Sequence, residues 1–341
     1  MDCDLAWTSF LENKEELIKS APNVPKRCPA STELYISTKT VITYLSDPID
    51  LKDTFPKLAV INYNDPMEGI IKKTMKYNFY SEEEKEATIK RLKDSPAYSE
   101  QILKRLSVNP YKDVRKISIG IRNKDVIAHR PKKTGAFYNC FVLIIRLYFN
   151  NAFKECHTKV FNTGKIEIPG IKQEELYYKV LDKLLLYLKR DVNLDLSYNR
   201  ENIETVLINS NFNCGFNIKR EALVQLLKMK YNLSTSFDPC SYPGIMCKFY
   251  YDINTIERQT GVEPNNYSKS MKNIYMVSFM IFRTGSVLIV GKCTEKILRD
   301  IYIFVKEILQ SEFPNIECPS ATIAKPPAVK KIKRRIIQVN T

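Results

Sequence analysis

Apolar and polar residues alternate with a period of two in two short stretches that align without a gap. They are FNTGKIEIPG at 161–170 and FRTGSVLIVG at 282–291, matching Phe161 with Phe282, Thr163 with Thr284, Gly164 with Gly285, Ile168 with Ile289 and Gly170 with Gly291. Each places a Gly turn between two alternating arms, the pattern of a β-hairpin. A helix follows each at matched spacing. Tyr177, Val180, Leu181, Leu184 and Leu188 form one apolar stripe, and Leu298, Ile301, Tyr302, Val305 and Leu309 repeat its offsets. Upstream, the second copy has a strand in TVLINSNFNCGF (205–216), a helix in KREALVQLLKMKY (219–231) and a strand in IMCKFYYDI (245–253). The first copy has LYISTKTVITYL (34–45), a short helix from Asp50 and CFVLIIRLYF (140–149). Strand, helix, strands, helix, given twice, predicts an α+β fold: an antiparallel sheet with helices on one face, since hairpin-joined strands need no parallel crossover.

Three segments stand outside the duplication. The pattern divides the chain into an N-terminal extension (1–32), a first repeat (33–190) with a charged insertion at about 79–135, a second repeat (191–313) and a basic C-terminal tail (314–341). Within the insertion, SEEEKEATIKRLKD (81–94) reads as an exposed helix. The tail's KPPAVKKIKRR (325–335) reads as an unstructured basic arm, either simply solvated or used for nuclear entry or nucleic-acid contact. A polar loop, 254–273, separates two strands of the second copy.

Charge then narrows the partners. The 341 residues carry 53 Lys and Arg against 38 Asp and Glu, a formal charge of +15, which favours polyanions. Much of that excess sits in the appendages: the insertion has fourteen basic residues against eight acidic, and the tail six against one. Nine cysteines without a CxxC pair read as reduced thiols and not as a metal site. With two histidines in the chain, His129 and His157, zinc hydrolases and His-dependent nucleophile systems have almost no material. Cys156 and His157 point to opposite sides of a strand. No phosphate-binding Gly loop or paired catalytic carboxylates stand out, so an enzyme is not expected, nor a cofactor, metal or small-molecule substrate. The longest apolar run, near 140–147, is far short of the roughly 20 residues that span a bilayer, and no secretory signal pattern opens the chain.

The ordered motifs ISTKT (36–40), FNTGKIEIPGIK (161–172), INSNFNCGFNIKREAL (208–223), FDPCSYPGIMCKFYY (237–251) and FRTGSVLIVGK (282–292) resemble the TATA-box-binding-protein-like factors of large nucleocytoplasmic DNA viruses. The resemblance covers roughly 33–78 and 136–313. It implies a duplicated saddle whose concave sheet sits on the minor groove, with apolar wedges prising base steps apart; the TATA-binding protein is itself a standard instance of that mechanism. It implies wedges at Phe161 and Phe282, and at Tyr242 before the second-copy PG strand, with Phe137 or Phe141 standing in for the first-copy counterpart. The alternative for an aromatic at a strand end is a ring folded onto the core.

Asn209, Asn211 and Asn213 send their amides to one strand face, which is either a solvated polar face or a reading surface. The family implies that Asn209 and Asn211 read the groove, with Ser37 and Thr38 as their first-copy counterparts, and Ile168 and Ile289 as apolar groove contacts. Lys165, Lys172, Lys248 and Lys292, and Arg146 as a further candidate, would meet phosphates. The family's usual Thr in the fourth strand is replaced by Pro169 and Val290, which points to altered or relaxed choice among A/T-rich sequences. The implied partners are A/T-rich double-stranded promoter DNA, a factor-IIB-like protein and viral RNA polymerase subunits, in the host nucleus or a cytoplasmic virus factory, with packaging in the virion also open. The alternative is a saddle that acts as a protein scaffold in a transcription or virion complex.

Overall fold

The alternating segments pair into a single antiparallel sheet of twelve strands. This computed structural model describes residues 27–106, 111–127, 137–255, 257–268 and 270–318; the N-terminal stretch before 27 and the basic tail from 319 lie outside them. The strands are β1 (Tyr35–Tyr44), β2 (Gly69–Phe79), β3 (Ser99–Leu106), β4 (Lys112–Gly120), β5 (Cys140–Phe149), β6 (Ala152–Phe161), β7 (Lys165–Ile171), β8 (Glu204–Asn213), β9 (Ser234–Ser236), β10 (Ile245–Asp252), β11 (Ile274–Ile281) and β12 (Ser286–Gly291). Their order across the sheet is β3-β4-β2-β5-β6-β7-β1-β8-β12-β11-β10-β9.

The duplication is legible in that order. From the central antiparallel pair β1 and β8, one arm runs β7, β6, β5, β2 and the other β12, β11, β10, β9. The duplicated antiparallel sheet with helices packed on it is therefore present as expected. Two features go beyond the expectation. A strand absent from the sequence reading, β2, follows the first short helix, and it is eleven residues long where its counterpart β9 has three. Besides the helix read at 81–94, the charged insertion adds β4 and β3 to the outer side of β2.

The helices are α1 (Leu51–Lys57), α2 (Glu82–Leu92), α3 (Asn123–Ile127), α4 (Glu174–Val192), α5 (Arg220–Met229), α6 (Glu295–Ser311) and α7 (Phe313–Ile316). Ser81 caps α2, its hydroxyl accepting from the Glu84 amide, so the SEEE run is a helix first turn where carboxylates offset the dipole. The two long apolar stripes bury as predicted. Val180, Leu181, Leu184 and Leu188 of α4 pack with Leu143, Ile145, Val160 and Ile168 in one core. Leu298, Ile301, Val305 and Leu309 of α6 pack with Ile245, Phe249, Phe279 and Ile289 in a second.

Turn chemistry sets the registers. Asn150 and Asn151, both at positive φ, close the two-residue β5–β6 turn, the conformation that Asn tolerates and a right-twisted hairpin prefers. Gly164 and Gly285 both lie at φ +78°, and a Cβ on Gly285 would sit 2.3 Å from the Phe216 carbonyl oxygen, so only glycine fits.

Two buried charges are fully engaged. Lys73, whose strand position turns it toward the helices, donates to the carbonyls of Phe55, Pro56 and Leu58 around the end of α1. Arg115 forks onto Asp113, which has no exposed surface, and reaches Glu100 on β3. The second network ties the inserted strands to each other.

Candidate nucleic-acid interface

Strand alternation gives the sheet two unlike faces. Ile166, Ile168, Val287, Ile289, Val277 and Phe279 point to the helices, so their neighbours point to the open side. That side carries Thr38 on β1, Leu207, Asn209, Asn211 and Asn213 on β8, Leu288 and Val290 on β12, and Met280 on β11, leading to Phe282. In the first arm it carries Lys165, Glu167 and Pro169 on β7 and His157, Lys159 and Phe161 on β6. Alternation also corrects one expectation: Ile168 and Ile289 are fully buried among the helices and cannot touch a ligand on the open face.

The second arm brings its aromatics together. The rings of Tyr242 and Phe282 meet edge to face at 5.9 Å. A Cβ on Gly244 would come within 3.0 Å of both rings, so this glycine lets them close around the start of β10. Both rings are only partly covered.

In the first arm the ladder identifies the matching residue. Ile245 pairs with Ile281, the residue before Phe282, and Phe141 pairs with Val160, the residue before Phe161. Phe141 is thus the counterpart of Ile245; both are wholly buried, and Phe141 packs on Phe55. Three residues back from each stand Tyr138 and Tyr242. Phe141 is therefore a core residue and not a wedge, and register assigns the counterpart of Tyr242 to Tyr138, a residue the sequence reading missed. Phe137 is exposed beside it, with the Lys159 ammonium 5.6 Å from its ring centre. The signal was available: the Asn150–Asn151 turn fixes which residue faces Phe161, and counting back finds Tyr138.

The amide row is also placed by register. Asn209 pairs with Val290, and Thr40 pairs with Pro169. Since Pro169 and Val290 are equivalent, Thr40 and Ile42, not Ser37 and Thr38, correspond to Asn209 and Asn211. A bulge between Ile36 and Thr38 shifts the pairing. Thr38 instead lies across the centre, where its hydroxyl accepts from the Asn209 amide nitrogen at 2.9 Å. Asn213 is spent locally, accepting from the Gly215 amide and donating to the Thr284 carbonyl.

The basic candidates divide. Lys165 lies 5.4 Å from the Phe161 ring centre, Lys172 donates to the Tyr35 hydroxyl and covers its ring at 4.1 Å, and Lys248 is exposed on β10. Lys292 is ion-paired with Glu204. Arg146 is buried and donates to the backbone carbonyls of Tyr63, Asp65 and Met67, so it holds a loop and is not available to a phosphate.

The two arms differ in charge. In the second arm the row beside Phe282 is apolar and amidic. In the first, Lys159 and Glu167 form an ion pair on the open side, and α3 lies over its far end: the Asn123 amide donates to Glu155 and Lys72 pairs with Asp125. His157 sits beneath, its Nδ1 buried without a partner. Burial, with Lys159 and Arg122 adding repulsion, pushes its pKa down to about 4. Among the described residues no cluster suited to a metal ion occurs, and no helix is long and apolar enough to cross a membrane.

No family model matches the chain. A curated protein of Acanthamoeba polyphaga mimivirus described as TATA-box-binding protein-like is 23% identical over 210 residues, covering 57% of this chain and 54% of that one. The chain thus spans about half the length of the curated relative it matches. Among solved structures, Methanococcus jannaschii TBP aligns over 83% of this chain and 99% of its own, at 16% identity and a TM-score of 0.38.

Proposed function

We propose that this chain, similar to a viral TATA-box-binding protein-like protein, is a transcription initiation factor that binds A/T-rich double-stranded DNA through the open face of its sheet and bends it at the minor groove. The observation that carries the reading is the Tyr242–Phe282 pair, held partly exposed at one end of an open face lined by Asn209, Asn211, Leu288 and Val290. Phe161 and Tyr138 stand in the equivalent places of the other arm. Aromatics at the two ends can enter unstacked base steps, while amides between them meet the acceptors of A·T pairs. Lys165, Lys172 and Lys248 supply phosphate contacts and a falling affinity with salt. Pro169 and Val290 make the centre of the surface apolar, so selection rests on deformability more than on hydrogen bonds. In this role the protein recruits a factor-IIB-like partner and viral RNA polymerase subunits, in the host nucleus or a cytoplasmic virus factory, and performs no catalysis.

The test is a mobility-shift and bending assay on an A/T-rich duplex with wild type and the Phe161→Ala/Phe282→Ala double variant. Loss of bending and strongly weakened binding are expected; wild-type bending by the double variant sinks the wedge mechanism. One specific observation favours a second reading. The Lys159–Glu167 pair and the α3 cover put a carboxylate and a helix where the first arm should meet DNA, as suits a scaffold for other transcription or virion proteins. Absence of DNA binding at low salt, with co-purification of polymerase subunits, would select it.

A further inference from the structure

The rim of the first arm carries an aromatic that its duplicate lacks. On β1, Val41 and Thr43 pair with Ile168 and Ile166 and face the helices, so Thr40, Ile42 and Tyr44 face the open side. Thr40 and Ile42 are buried there, whereas Tyr44 is 51% exposed and its hydroxyl has no partner among the described residues. Tyr44 pairs with Lys165, and the register that sets Val160 against Ile166 sets Phe161 against Lys165. One cross-strand row therefore runs Phe161, Lys165, Tyr44, from β6 inward to β1, on the open face.

The duplicate closes the same row on itself. Gly285 matches Gly164, so Ser286 and Asn213 stand where Lys165 and Tyr44 stand, and Phe282 donates its amide to the Ser286 carbonyl as the row requires. There the Asn213 side-chain nitrogen donates to the Thr284 carbonyl and the Ser286 hydroxyl, while its oxygen accepts from the Gly215 amide. Those polar groups hold the turn. In the first arm the Lys165 ammonium lies over the Phe161 ring, 5.4 Å from its centre, and is in no ion pair among the described residues. The carboxylates nearest in the ladders are already matched: Glu167 with Lys159, and Glu204, opposite Ile42, with Lys292. Asp47 meets the Gly164 turn through its backbone carbonyl. A phenol donor, an ammonium and a strand-end ring in line suit a sugar-phosphate backbone beside an opened base step, because phosphate oxygens take N–H and O–H donors while the ring enters the step.

We propose that Tyr44 contacts the backbone of bound duplex DNA, its hydroxyl donating to a phosphate oxygen of the strand whose base step Phe161 enters, beside the phosphate held by Lys165. This rests on the DNA-binding reading of the saddle and adds to it a grip present in one arm alone. A neutral donor and a cation leave different marks. Lys165 releases a counterion from the duplex on binding and Tyr44 does not, so Lys165 contributes to the salt dependence and Tyr44 contributes affinity without it. Neither carries sequence information; both fix how the first arm sits on the strand.

The experiment measures binding of an A/T-rich duplex by fluorescence anisotropy across a salt series, and bending by energy transfer between the duplex ends, for wild type, Tyr44→Phe and Lys165→Gln. The contact is then located with duplexes that carry one uncharged methylphosphonate, walked along each strand. Tyr44→Phe removes a single oxygen from an exposed ring, and it should melt as wild type does. Its affinity should be roughly 10-fold lower at every salt concentration, with the slope of log K against log salt unchanged, whereas Lys165→Gln should lower that slope by about 1. At one methylphosphonate position the gap between wild type and Tyr44→Phe should close, since either change removes the same hydrogen bond. Wild-type affinity in Tyr44→Phe, or a gap that persists at every position, overturns the proposal and leaves wild-type binding intact. Failure of wild type to bind and bend the duplex overturns the DNA-binding reading instead.

Discussion

Substituting Tyr138 and Phe141 in turn tests the register on which the interface rests, because the two residues lie three positions apart and are assigned opposite fates. Phe141 has no exposed surface and packs against Phe55 at 6.1 Å between ring centres. Truncating such a ring removes its transfer free energy and leaves a cavity, so Phe141→Ala should destabilise by about 3–5 kcal/mol. At about 2–4 °C per kcal/mol for a protein of this size class, the melting temperature should fall by roughly 10 °C. Tyr138 is 68% exposed, and Tyr138→Ala should change stability by less than about 0.5 kcal/mol. Its cost should fall on binding: an aromatic stacked on an unstacked base is worth about 1–3 kcal/mol, so affinity for an A/T-rich duplex should drop by roughly 5- to 150-fold and the bend at one end should relax. Differential scanning calorimetry and anisotropy read the two effects separately. The reasoning fails if Tyr138→Ala melts like Phe141→Ala, or if Tyr138→Ala binds and bends as wild type while Phe137→Ala does not.

Two further outcomes follow from buried groups. His157 titrates near 4 in the folded chain against about 6.5 when unfolded, so between those values the unfolded state holds more protons; stability should decline as pH falls from about 6.5 toward 4, by up to about 3 kcal/mol, and His157→Gln should flatten that part of a denaturation-versus-pH curve. Arg115→Met should cost about 3–5 kcal/mol, because it strands the Asp113 carboxylate without solvent, and Arg115→Met/Asp113→Leu should recover much of the loss in urea titrations.

The duplicated hairpins and the two long helices were readable because their periods are strong and their Gly turns leave no alternative at φ +78°. β2 was not, because Lys73 breaks its alternation from the inward side, where three carbonyls 15 to 18 residues back satisfy it. The inserted strands were hidden for a similar reason, since Asp113 and Arg115 occupy inward positions and read as surface charges until they are seen to pair. At the candidate interface, Phe282 and Tyr242 were reached through the family resemblance, and their rings lie 5.9 Å apart. Ile168 and Ile289 were misassigned by one position of a two-residue period, which is all it takes to exchange the faces of a sheet. The counterpart of Asn209 was displaced by the bulges in β1, which no composition signals.

The unequal arms have a consequence for orientation. A surface with true two-fold symmetry cannot distinguish the two directions along a duplex, since a half-turn exchanges its ends without changing any contact. Here the half-turn would bring Asn209 and Asn211 onto Thr40 and Ile42, and Leu288 onto Glu167. Such a surface has a head and a tail. Set on DNA, it would mark a direction of travel before any other protein arrived, and the added strands on one side would make that direction a matter of length as well as of chemistry.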